Sequence, residues 1–106
     1  MKDISIFISA AFFEIFGCFL FWSYVRLNKS IYVLIPAVVS LIVFAYLLTK
    51  VHTEFAGRTY AIYGGIYIVA SLCWLYIVEH ITPDRWDIIG ATICVIGACV
   101  ILFMPR

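Results

Sequence analysis

The sequence predicts an all-α membrane protein with four transmembrane helices per chain, and three observations predict it. The 106 residues are 66% apolar and only 12% charged, against roughly 45–50% apolar and about 25% charged in an average soluble domain. The apolar residues gather into four uninterrupted stretches, each near the ~20 residues a helix needs to cross a bilayer. The residues left between them are too few for a soluble module. A soluble fold is excluded on this composition, since a chain this short needs polar surface most. Disorder is excluded because it requires low hydrophobicity. Nucleic-acid binding is excluded because a net charge of +1 provides no basic face. The expectation is one transmembrane domain over residues 1–106, with no catalytic domain beside it.

The spans are read as Ile4–Val25, Ile31–Thr49, Tyr60–Val78 and Ile88–Met104. Lys2 followed by an apolar run resembles a signal peptide, but the run is too long and Glu14 interrupts it. Phe16 is bulky where a lipoprotein cleavage site needs a small residue. The first connection, Arg26-Leu27-Asn28-Lys29-Ser30, is short enough to make its neighbours antiparallel. In the second span Pro36 is expected to kink the helix, and Ser40, four residues on, either satisfies a freed carbonyl or faces a cavity. The second connection, Lys50 to Thr59, carries Gly57 and both signs of charge. In the third connection, Glu79 to Asp87, Thr82 is expected to cap a helix whose first turn starts at Pro83, with acids near the positive end of its dipole. Cys18, Cys73, Cys94 and Cys99 all fall inside spans without metal-ligand spacing, so they are read as small packing units, with no metal site and no disulfide framework.

Charge placement is even. Four crossings put Lys2, Lys50, Arg58 and Arg106 on one side and Arg26, Lys29 and Arg85 on the other, almost without the usual positive-inside bias. Two readings stay open: one orientation set by local detail, or copies that insert both ways and pair upside down.

Among the seven basic and six acidic residues, Glu14 alone falls inside a span. It sits near the bilayer midplane, where a charged acid costs on the order of 2.5–3.5 kcal/mol even on lenient insertion scales. A low-dielectric setting disfavours a charged carboxyl, which then exchanges between holding a proton and holding a cation. That alternation is the chemical requirement for proton-coupled exchange; the bland alternative is a permanently protonated acid bonded to a neighbouring helix. At helical spacing Glu14 shares its face with Phe7, Ala10, Ala11, Gly17, Cys18 and Phe21. Four of these six are small, so the acid is expected to lie in a notch.

In the third span Tyr60, Tyr63, Tyr67 and Trp74 recur at helical spacing as one aromatic stripe. Ring faces attract cations by about 0.5–2 kcal/mol each once water is excluded. Tyr60 and Trp74, like Trp22 and Trp86, also fit an interfacial aromatic belt, whereas Tyr63 and Tyr67 lie deeper. Gly64-Gly65 permits close helix contact and bending. In the fourth span Gly90 and Gly97 stand seven apart with Cys94 between them, a spacing suited to a dimer contact. Glu79 and His80 read as a solvated helix end.

Together, the runs Glu-Ile-Phe-Gly-Cys-Phe-Leu from Glu14, Pro-Ala-x-x-Ser-Leu from Pro36 and Gly-Arg-x-Tyr-Ala-x-Tyr-Gly-Gly-x-Tyr from Gly57, with the Gly90/Gly97 heptad, resemble the small multidrug resistance transporter superfamily and, within it, the YnfA-like branch. The likeness extends over nearly the whole chain in order and spacing. It implies an antiparallel homodimer in a prokaryotic cytoplasmic (inner) membrane that exports cationic compounds in exchange for protons. Carried over by position, Glu14 matches the shared proton and substrate carboxylate and Tyr60 the binding-site tyrosine. Gly65 matches the bend of the third helix, and Gly90 with Gly97 the dimer helix. Two departures stand out: Tyr63 occupies the place of a tryptophan, and the second span has no clear counterpart to a cavity tyrosine, Ser40 and Tyr46 being the candidates.

Apart from the resemblance, four helices are too few both to enclose a cavity around Glu14 and to shield it from lipid. The two halves of one chain run in the same direction, so an inverted repeat requires a second copy inserted upside down. The expectation is therefore an eight-helix antiparallel homodimer with the two Glu14 carboxyls at one site. The expected partners are a small cationic substrate, protons and membrane lipids, with no cofactor and no nucleic acid. The rivals are export of one small polar cation, flipping of a lipid-linked molecule, and a non-transporting assembly subunit. An enzyme is not expected, since no nucleophile–base pair accompanies Glu14.

Overall fold

A computed structural model describes residues 2–52 and 55–105. Four helices form: α1 (Lys2–Arg26), α2 (Leu34–Leu48), α3 (Ala56–Ile77) and α4 (Arg85–Phe103), with a 3-10 turn at Ile31–Val33 leading into α2. No strand occurs among the described residues. The segments Asp3–Arg26, Ile31–Leu48, Ala56–Ile77 and Arg85–Phe103 are each long and apolar enough to cross a membrane. Thr53, Glu54 and Arg106, counted above in the second connection and the charge balance, lie outside the described residues.

The helices exceed the apolar stretches at four of their eight ends because a helix does not stop where its side chains become polar. Gly57, Arg58 and Thr59, read as loop, belong to the first turn of α3. Pro36 does not kink a span. It is the third residue of α2, where the amide it lacks would have had no intrahelical acceptor. The preceding turn tightens to 3-10 instead, with Ser30 capping it by accepting from the Tyr32 amide at 3.2 Å. That turn also lengthens the span: 15 residues of α-helix reach about 22 Å, and three residues of 3-10 add about 6 Å, close to the ~30 Å hydrocarbon thickness.

The start of α4 also differs from expectation. The cap is Asp84, not Thr82. The Asp84 carboxylate accepts from the Asp87 amide at 2.9 Å, and the Asp87 carboxylate accepts from the Asp84 amide at 3.0 Å. This reciprocal box satisfies two donors that helix geometry otherwise leaves open and places both acids at the positive end of the dipole.

The chain divides into two compact hairpins, α1–α2 up to Val51 and α3–α4 from His52. In the first, Phe7, Ala10, Ala11, Ile15, Ser23, Ala37, Ser40 and Leu48 are buried. In the second, Thr59, Ile62, Tyr63 and Gly65 are buried and α4 contributes no buried residue. The exposed surface is apolar, with Ile8, Phe12, Ile42, Ile93, Ile96 and Phe103 all outward, as befits a protein whose solvent is lipid. The four cysteines correct the sequence reading: all are free and exposed rather than packed inside.

Candidate functional site

Glu14 is the thirteenth of the 25 residues of α1, the middle of the helix, and is half-buried. Ala10 and Ala11, one turn before it, are fully buried, as is Phe7 a further turn away. Gly17, one turn after it, faces α2 so closely that a Cβ there would lie 2.9 Å from the Ala37 carbonyl oxygen and 2.8 Å from Leu41 Cγ. Cys18 and Phe21 are exposed. The notch inferred from small residues is thus shared: Gly17 is used by the chain's own second helix, and Cys18 stays open.

Sequence reasoning names Ser40 but not its partner. It is buried in α2, and its hydroxyl donates to the Phe13 carbonyl of α1 at 2.7 Å. Its partner is not a carbonyl freed by Pro36 but one on the neighbouring helix. A serine buried in an apolar span must bond somewhere, which is the available signal. The partner was not legible, because a serine can equally bond back to its own helix. Thr92 in α4 does so, donating to the Ile88 carbonyl at 2.7 Å.

In α3 the deep tyrosines meet. The rings of Tyr63 and Tyr67 lie 5.8 Å apart, tilted by 41°. Tyr63 is buried, while Tyr60, one turn nearer the helix start, is 58% exposed. The helix passes through Gly64-Gly65 without interruption. A Cβ at Gly65 would meet the Ala98 Cβ of α4 at 2.5 Å, whereas Gly64, Gly90 and Gly97 face open space. Glu14 belongs to the first hairpin and the tyrosines to the second, and each geometry holds within its own hairpin. Tyr46 is exposed near the end of α2, with the Lys50 ammonium 4.6 Å from its ring centre.

Helix ends carry the same pairing repeatedly. The Arg26 guanidinium lies 4.6 Å from the Trp22 ring centre, Arg85 4.8 Å from Trp86, and Arg58 5.8 Å from Phe55. A cation over an exposed ring is the chemistry of a membrane interface, which fits the belt reading of Trp22 and Trp86.

The whole chain, residues 1–106, matches the family model described as "Uncharacterised BCR, YnfA/UPF0060 family". The chain belongs to the YnfA/UPF0060 family. It is 58% identical over 106 residues to a UPF0060 membrane protein of Cytophaga hutchinsonii, covering 100% of both chains. It is 52% identical over 102 residues to a UPF0060 membrane protein of Brucella anthropi, covering 96% of each. No solved structure matches it. The protein is thus a multi-pass membrane protein of this family with four candidate spans.

Proposed function

We propose that the protein is a proton-coupled antiporter that exports cationic, lipophilic or aromatic compounds. In this reading it works as an antiparallel homodimer in the cytoplasmic membrane of a prokaryote and is a member of the small multidrug resistance superfamily. One observation carries the reading: a half-buried carboxyl stands at the middle of a 25-residue apolar helix, with every other described acid at or beyond a helix end. Intramembrane acids cost too much to be ornamental and mark ion or substrate pathways. The resemblance in sequence supplies the superfamily. The Tyr63–Tyr67 pair supplies ring faces suited to a cation, and the open face at Gly90 and Gly97 supports a contact with a second copy.

The cycle follows from mutual exclusion at the carboxyl. A cation binds the deprotonated Glu14 pair of the dimer, and protons arriving from the opposite side displace it. The sign is fixed: falling pH protonates the pair, removes its charge and weakens cation binding.

The test uses the full chain in liposomes with tetraphenylphosphonium as the lipophilic cation. Binding is expected to weaken as pH falls, and Glu14→Gln is expected to abolish both the pH dependence and proton-driven uptake. Uptake that survives Glu14→Gln would remove the reading. The same titration with a small polar cation in place of tetraphenylphosphonium separates multidrug export from export of one specific ion.

A further inference from the structure

We propose that Ser40 is a positioning residue for Glu14, setting the rotation of α1 through its hydrogen bond to the Phe13 carbonyl. The proposal rests on the role given to Glu14 above and adds the device that aims it.

The problem the device solves is specific to a membrane. α1 carries apolar residues on every side, and lipid tails are as apolar as leucine, so the hydrophobic effect gives such a helix little preferred rotation about its axis. Successive residues turn by about 100°, so a modest rotation carries a carboxyl from a protein-facing to a lipid-facing position. Something directional must fix the angle.

Two features do so within a single turn of α1. The Ser40 hydroxyl grips the Phe13 carbonyl at 2.7 Å, and Phe13 is the residue directly before Glu14. Four residues on, Gly17 lies so near α2 that a Cβ would stand 2.9 Å from the Ala37 carbonyl oxygen. The glycine sets the closeness of the two helices, a contact that tolerates sliding. The hydrogen bond sets the angle, because it reaches one carbonyl and no other. Gly17 and Phe13 thus form the seam, and Glu14 stands at its edge, half-buried.

This role differs from a cavity role, because Ser40 acts through the backbone of Phe13. It also differs from ordinary packing, because replacing the hydroxyl by hydrogen removes the directional bond with little change in volume.

The test labels glutamate carboxyl carbons with 13C in the full chain in bilayers and identifies the Glu14 resonance by its loss in Glu14→Gln. Ser40→Ala is expected to displace or split that resonance while those of Glu54 and Glu79 stay in place. It is also expected to weaken tetraphenylphosphonium binding about three- to fifteenfold, the range a cross-helix hydrogen bond carries. Ser40→Thr, which keeps the hydroxyl, is expected to restore both. A Ser40→Ala protein with wild-type resonance and affinity would overturn the proposal, as would a Ser40→Thr protein as defective as Ser40→Ala. If Ser40→Ala does not assemble, Ser40→Cys, similar in size with a weaker donor, gives the same comparison. If the wild-type protein binds no cation, the antiporter reading fails, and the resonance alone still decides whether Ser40 aims Glu14.

Discussion

The two hairpins end their first helices in the same way and close their seams differently. In each, a non-glycine residue with positive φ follows the first helix, Asn28 at 55° and His80 at 61°. In each, the next amide donates to a carbonyl six residues back, Lys29 to Ser23 at 3.2 Å and Ile81 to Leu75 at 3.0 Å. The seams diverge. α1 and α2 are locked by a glycine pressed against backbone and by a cross-helix hydrogen bond. α3 and α4 meet through Gly65 against the Ala98 methyl, with the Cys94 carbonyl oxygen 3.3 Å from the same point, the hydroxyl of Thr92 bonds within its own helix, and no α4 residue is buried. The rigid hairpin carries the acid. The looser one carries the rings and the glycine-bearing outer face. In the antiporter reading proposed above, a carboxyl that trades proton for cation has to be aimed, whereas a helix that meets a second copy has to keep its surface open.

The largest expected effect breaks the rigid seam. Gly17→Ala places a methyl against the Ala37 carbonyl oxygen and Leu41 Cγ, and a backbone oxygen cannot rotate away. Destabilisation at the upper end of about 1–3 kcal/mol is expected, read by denaturation in mixed micelles. Trimming Leu41 to Ala should not restore it, because the carbonyl remains.

The looser seam should respond less and be repairable. Gly65→Ala drives its methyl to 2.5 Å from the Ala98 Cβ, but α4 has no buried residue to hold it in place. A cost near the lower end of about 1–3 kcal/mol is expected, and Ala98→Gly in the same chain should recover the part due to the methyl, leaving the 3.3 Å approach to the Cys94 carbonyl oxygen. Gly64→Ala is the control. Its Cβ meets nothing within 4 Å, so unfolding should be unchanged or slightly harder, as alanine favours a helix by up to about 1 kcal/mol. Equal losses at Gly17 and Gly65, both unrescued, would erase the distinction between the seams.

A third effect tests the start of α4. Asp84→Ala removes the acceptor of the Asp87 amide and should cost about 1 kcal/mol, with the loss confined to hydrogen exchange in the first turn of α4.

How much of this was legible follows from what each feature depends on. The four spans were legible because hydropathy and length are properties of the chain alone, and Glu14 stood out because one charge in an apolar run needs no neighbour to be noticed. The ends were misjudged at Gly57, Arg58 and Thr59 because polar side chains end a hydrophobic stretch without ending a helix. The cap was placed at Thr82 instead of Asp84 because both are good capping residues, and only the position of Asp87 three residues later decides between them. Pro36 was read as a kink because its harm depends on how many turns precede it. The cysteines were read as packed because their size fits a seam, but which side of a helix meets its neighbour is a property of the pair. Ser40 and Gly17 belong to the same class. Their partners lie on another helix, and no periodicity within one helix names them.

The smallest prediction returns to what the hairpins share. A left-handed backbone costs an L-residue roughly 1–2 kcal/mol, with asparagine and histidine among those that tolerate it best. Asparagine tolerates it better, because its short amide bonds locally where an imidazole does not. His80→Gly should therefore stabilise the second hairpin by about 0.5–1 kcal/mol, and Asn28→Gly should stabilise the first by less. Local hydrogen exchange at Ile81 and Lys29, whose amides close the two caps, reads each change separately. If both glycines helped equally, strain at the caps would be a matter of geometry alone. If His80→Gly instead destabilised the chain, the imidazole would be making a contact worth more than the strain, and the two helix ends would not be equivalent.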